Sequence, residues 1–212
     1  MTTLADLKTA ILDESMRSDL TDKLAMFIER AEGMIARELR AMEMLEVVTL
    51  GESDRITGGR YALPTDWLED RSVLVEGIPC RKTSFDAINT LATGGAPLLY
   101  SVFANSTDGA VIEFRGVPAT DAEIELHYFA RPAALVESTD TNRLLAAHPA
   151  IYQDAALFRL YKFTQDIDLA QGCYDAWANA RDTLNDQAGR FLSGTNSKPR
   201  YNIGRYSVGG AY

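Results

Sequence analysis

Apolar residues recur at helical spacing near both ends of the chain and at strand spacing through its middle. Leu4, Leu7, Ile11 and Leu12 form a short amphipathic set within residues 2–13. After a polar break at residues 15–19, Leu24, Phe27, Ile28, Ala31, Met34, Ile35, Leu39 and Met42 recur at steps of three and four. That repeat places one apolar stripe along an α-helix. Asp19 and Asp22 stand near its start, where the helix dipole favours negative charge. Lys23, Glu29, Arg30, Glu32, Arg37 and Arg40 take the opposite face, open to solvent or to a neighbouring subunit.

Residues 46–130 read as β-rich. Val47, Val48 and Leu50 open the region, Gly58-Gly59 marks a turn, and Tyr61 and Leu63 follow. Pro64-Thr65-Asp66 predicts a break and a short turn or helical piece through Leu68. Val73-Leu74-Val75, Glu76-Gly77 and Ile78 predict a hairpin. Ser84 is placed to cap a short helix over residues 85–91, ended by Gly94, Gly95 and Pro97. Residues 98–103 and 110–114 predict strands around a turn of Asn, Ser, Thr, Asp and Gly. Ile124, Leu126 and Tyr128 alternate with Glu125, His127 and Phe129, the pattern of a half-buried strand.

The third region is helical again. Pro149 suits a first helical position, and Ile151, Ala155, Phe158 and residues 160–163 make a helix apolar on most sides, which should lie deep. A break near residues 166–168 precedes Leu169, Cys173, Trp177, Ala180, Leu184, Ala188 and Phe191, the cleanest helical repeat in the chain, with Asp175, Asp182 and Asp186 outward. So short a break predicts an antiparallel helical hairpin with Trp177 and Phe158 in its core. The fold class is therefore α+β. A helical bundle is built from both chain ends (residues 3–44 and 149–191), with an inserted β-rich region (46–130) and an extended C-terminal tail. Residues 1–192 form the body and 193–212 the arm.

Charge separates these two parts. The chain of 212 residues carries a net −9, from 21 basic and 30 acidic residues. Three of the basic residues and none of the acidic ones fall in 193–212, so the arm carries +3 and the body −12. An acidic body disfavours a nucleic-acid reader. The apolar fraction is 46% and the charged fraction 24%, ordinary for a globular chain. The N-terminus lacks the basic and apolar runs of a secretory signal, and no stretch of about 18 apolar residues is present to span a membrane. Cys80 and Cys173 are expected as reduced thiols.

The chemistry for catalysis is sparse. His127 and His148 are expected to be structural, and no Cys/His grouping offers a zinc site. Phosphate-loop, dinucleotide-loop and nucleophile-elbow motifs are missing, and no cofactor is implied. Asp66, Glu69 and Asp70 are the densest acidic group, and a solvated turn accounts for them. A glycan hydrolase using two carboxylates stays open as the enzymatic alternative. The arm has too few large apolar groups to fold alone. Its Tyr201, Ile203, Tyr206, Val208 and Tyr212, beside Lys198, Arg200 and Arg205, suit a segment that orders on a partner. Fully extended, it would reach about 65 Å.

The order of certain segments carries a resemblance. Ala36-Arg37-Glu38-Leu39-Arg40 ends the first bundle helix. Gly59-Arg60-Tyr61-Ala62-Leu63-Pro64-Thr65-Asp66-Trp67-Leu68-Glu69 follows, then Ala110-Val111-Ile112-Glu113-Phe114 and residues 124–132. His148-Pro149-Ala150-Ile151-Tyr152 opens the next helix, and Cys173-Tyr174-Asp175-Ala176-Trp177 lies in the last. This layout, over residues 20–191, resembles the head-to-tail adaptor (connector or neck) proteins of tailed bacteriophages, especially those of short-tailed phages. Tyr61-x-Leu63-Pro64-x-Asp66-Trp67-Leu68 is its most specific piece. The resemblance implies a structural protein of the virion neck, not an enzyme, assembled in the host cytoplasm. It implies a ring of copies, usually twelve, beneath the portal protein. That ring would extend the channel through which DNA passes without specific binding, and would offer a platform to the tail tube or nozzle. It also implies a C-terminal arm that grips the portal, here Lys198, Arg200, Tyr201, Ile203, Arg205, Tyr206 and Tyr212. A neck protein with a different ring partner is the structural alternative, and a free binding module with a tail mobile in every context is another.

Overall fold

A computed structural model describes residues 2–90 and 99–193. Helix α1 (Leu4–Ser15) begins where Thr3 and Asp6 form a reciprocal capping box, which satisfies two backbone N–H groups the helix itself cannot. Leu4, Leu7 and Ile11 are buried beneath it. A left-handed Met16 ends it, and a 3-10 stretch (Ser18–Lys23) leads into α2 (Leu24–Glu38). There Leu24, Phe27, Ile28, Ala31, Met34 and Ile35 are buried, as the repeat predicts. Met42 falls beyond the helix, in a separate 3-10 turn, because the backbone becomes extended at Leu39.

Nine strands lie among the described residues after that turn. β1 (Leu45–Leu50), β4 (Trp67–Val75), β5 (Ile78–Pro79) and β9 (Ile124–Ala130) make one sheet in the order β1-β9-β4-β5. β2 (Arg55–Thr57), β3 (Arg60–Ala62), β6 (Arg81–Lys82), β7 (Leu99–Asn105) and β8 (Gly109–Arg115) make a second, ordered β2-β3-β8-β7-β6. The short helix α3 (Phe85–Thr90) stands after β6. The β2–β3 hairpin turns through Gly58, whose φ of 55° suits glycine. A Cβ on the next residue, Gly59, would sit 2.9 Å from the Phe114 carbonyl oxygen, so the hairpin lies directly against β8.

The two sheets share a core of Leu50, Tyr61, Val73, Val75, Tyr100, Ile112, Phe114, Ile124, Leu126 and Tyr128. β9 ties this core to the bundle. Its even-numbered residues, Ile124 to Ala130, enter the sheet core, whereas Phe129 points the other way into the helical core. A strand's period of two makes that division automatic. Of the turn or helical piece expected through Leu68, the turn forms, and Trp67 and Leu68 already belong to β4. The Trp67 N–H closes a turn onto the Pro64 carbonyl at 3.0 Å, and Trp67 then pairs at once with Ala130, which leaves no room for a helix.

After the short helix α4 (Arg143–Ala147), α5 (Pro149–Thr164) and α6 (Ile167–Ser193) form the expected hairpin. A left-handed Gln165 turns the chain between them. α5 is the central helix, packed on α1, α2, α4 and α6. Ile151, Tyr152, Ala155, Ala156, Leu157 and Leu160 fill the core around it, and Trp177 of α6 is fully buried. Phe158 corrects the expectation of a core residue. It is only half-buried, stacked on Tyr174 at 5.2 Å between ring centroids. Leu169 and Phe191 of the α6 repeat are exposed. At 1.5 Å per residue α6 is about 40 Å long against about 24 Å for α5, so its ends overhang the helix it packs on.

Candidate functional site

The first feature of the surface lies along the C-terminal part of α6. The last turns of α6 are fastened to the C-terminal end of α2, whose final carbonyls need partners from outside the helix. Asn185 supplies one of them. Its Nδ2 donates to the Glu38 carbonyl at 3.0 Å, and its Oδ1 accepts from the Arg40 N–H at 2.7 Å. The Arg40 guanidinium donates to the carbonyls of Ala36 and Leu39 at 3.1 and 2.6 Å and to the Glu69 carboxylate at 2.9 Å. Arg181 reaches Glu38 at 2.6 Å and lies over the Trp177 ring. One knot of side chains thus joins the ends of α2 and α6 to the start of β4. It holds the C-terminal part of α6 against the rest of the described fold.

The acidic group at the start of β4 differs from the solvated turn expected. Asp70 is buried, its side chain only 2% exposed, and it bridges the two sheets. It accepts from Lys82 Nζ at 2.6 Å and from the Tyr100 hydroxyl at 2.8 Å. Burial and the Asp70 hydrogen bond push the Tyr100 hydroxyl well above its usual range. Asp66 accepts from the Tyr128 hydroxyl, which burial and that carboxylate push up to about 12. Glu69 is held by Arg40. All three carboxylates are therefore engaged in holding the fold. Their register could not be read from the sequence because the bulges of β4 turn Asp70 inward.

The histidines also sit beside carboxylates, His127 against Glu125 and His148 against Glu43 at 3.3 Å. No disulfide joins Cys80 to Cys173. Burial, with Asp154 and Glu14 nearby, pushes the Cys173 thiol up to about 11, away from the reactive thiolate. Among the described residues no group of three or more His, Cys, Asp or Glu is arranged to hold a metal, and no helix is long and apolar enough to cross a membrane. A cleft of about 380 Å³ lies between α2 and residues 131–134. Glu32, on its wall, is raised above the ordinary carboxylate range by burial and accepts the Leu135 N–H at 2.9 Å, so it serves as a latch for that segment.

The arm residues Lys198, Arg200, Tyr201, Ile203, Arg205, Tyr206 and Tyr212 lie outside the described residues. The structure does place the end of the helix that leads to them.

These features define an α+β body in which many polar side chains hold neighbouring elements together. Comparison with known families gives its class. The family model described as SU10 adaptor protein matches residues 2–199, nearly the whole chain, and the chain belongs to that family. It is accordingly a phage adaptor protein, a structural class. Arg200 and the arm residues after it lie beyond the matched span. No curated protein matches the chain.

Proposed function

We propose that the protein is a head-to-tail adaptor of the short-tailed type. In this reading, copies form a ring beneath the portal, extend the DNA channel, and present the attachment platform for the tail tube or nozzle. Residues 1–192 are the adaptor body and 193–212 the arm that grips the portal. The family match over residues 2–199 carries this reading. Two physical observations support it. The arm adds +3 to a chain otherwise at −12, which suits an acidic groove on a partner. The knot at Asn185 and Arg40 gives that arm a fixed point of departure. Assembly in the host cytoplasm and residence in the virion neck follow from the same reading.

The test is attachment. Purified full-length protein is mixed with DNA-filled heads that carry the portal but lack the neck, and particle-bound protein is quantified after sedimentation. The expected result is saturable attachment that fails for a chain lacking residues 193–212, although that truncated chain unfolds at nearly the same temperature. Equal attachment with and without the arm would reject the arm assignment. No attachment of the intact chain at any concentration would reject the adaptor reading.

A further inference from the structure

The helical bundle carries two unpaired flanks of opposite charge on either side of α6. On the side facing α2 stand Arg30 and Arg37, seven residues apart and both exposed, with Arg159 of α5 close enough to feel both charges. Lys162 shares with Arg159 the ring of Phe158, their charged groups 5.7 and 5.1 Å from its centroid. None of these four cations has a carboxylate within 4 Å among the described residues. Glu38, the carboxylate that faces Arg159, is already held by Arg181 at 2.6 Å. Arg159 Nε is buried and finds no hydrogen-bond partner among the described residues.

The side facing α1 shows the reverse. Asp154 of α5 is half-buried and Glu14 of α1 stands near it. Glu14 accepts only from the neutral Gln153, at 2.6 Å, and neither carboxylate has a cation within 4 Å among the described residues. Burial and the mutual repulsion raise Asp154 above the ordinary carboxylate range. Asp154 and Arg159 are five residues apart on α5, which puts them about 140° apart around its axis. The two flanks therefore look in different directions.

We propose that these flanks are the two halves of one contact between copies of this chain: Arg30, Arg37 and Arg159 of one copy receive Glu14 and Asp154 of the next. This rests on the adaptor reading and adds to it which surfaces meet. Copies with net charge −9 repel one another unless opposite charges are brought face to face. A contact between two different faces is head-to-tail, and such contacts close into rings when the rotation permits. An isologous pairing would instead set arginine against arginine.

Charge reversal on the full-length chain tests this. One variant carries Arg30→Glu with Arg37→Glu, and the other Glu14→Lys with Asp154→Lys. Circular dichroism and thermal unfolding confirm that each folds; if Asp154→Lys does not, Glu14→Lys alone is used. Sedimentation is followed at about 50 mM salt, where surface charges are weakly screened. The wild type is expected to self-associate weakly. Each variant alone should do so at least tenfold less, and their equimolar mixture should recover, since the all-acidic copies can alternate with the all-basic ones. Unchanged association of both variants, or a mixture no better than its components, would overturn the proposal. Loss of duplex DNA binding in the Arg30/Arg37 variant, with self-association intact, would assign the basic flank to DNA instead. If either variant attaches to heads in normal number with normal self-association, this contact fails while the adaptor reading stands.

Discussion

Trp177 and Phe158 show how far two aromatic side chains on adjoining helices can differ. Trp177 is fully enclosed between α5 and α6, with Arg181 over one side of its ring. Replacing it with alanine should cost about 3–5 kcal/mol, the range for a large aromatic removed from a packed core. Phe158 packs on Tyr174 but keeps part of its surface beneath Arg159 and Lys162. Its truncation should cost about half as much, roughly 2 kcal/mol, because less surface returns to water. Urea denaturation of both variants measures the pair, and equal losses would contradict the difference in burial. Periodicity marks both as apolar positions on a helix face. How deep each sits depends on how α5 and α6 pack on one another, which the periodicity of either helix taken singly does not state.

At the scale of elements, long helices are the most legible part of the sequence and contacts between distant ends the least. The repeat in residues 24–39 and that in 169–191 are local, so periodicity alone places α2 and α6. Alternation in residues 124–128 likewise marks β9 and its sheet-facing side. It does not show that Phe129 is buried on the opposite side, since a strand's own pattern says nothing about which element covers its second face. The fastening of α2 to α6 is invisible in the sequence for the same reason: Arg40 and Asn185 are separated by 145 positions. That contact carries a prediction. Asn185→Ala leaves the Arg40 N–H and the Glu38 carbonyl without their partners, at a cost of about 1–3 kcal/mol. Hydrogen exchange at the Arg40 amide should quicken along with the loss of stability. A melting temperature unchanged from wild type, with the Arg40 amide still protected, would show that water takes over the role of Asn185.

For the whole molecule, charge divides the labour. The body carries −12 and the segment after residue 192 carries +3. DNA passing through a ring of such bodies would meet a wall that repels it, over the 8–10 Å that physiological salt allows. A basic wall would instead release counterions and hold the duplex. If Arg30, Arg37 and Arg159 face the neighbouring copy, they are withdrawn from the channel and its lining stays acidic. The cations of the arm then serve a protein partner. Lys198→Gln, Arg200→Gln and Arg205→Gln in one chain should weaken attachment to heads and flatten its dependence on salt, because three screened attractions are removed together. The intact chain should show no duplex binding at physiological salt. Both quantities come from one titration series, with fluorescent duplex in one arm and portal-bearing heads in the other, each repeated at rising salt. If the triple glutamine variant lost an affinity for duplex that the intact chain possessed, and attached to heads as before, residues 193–212 would be a nucleic-acid contact and the portal arm would have to be sought elsewhere on the body.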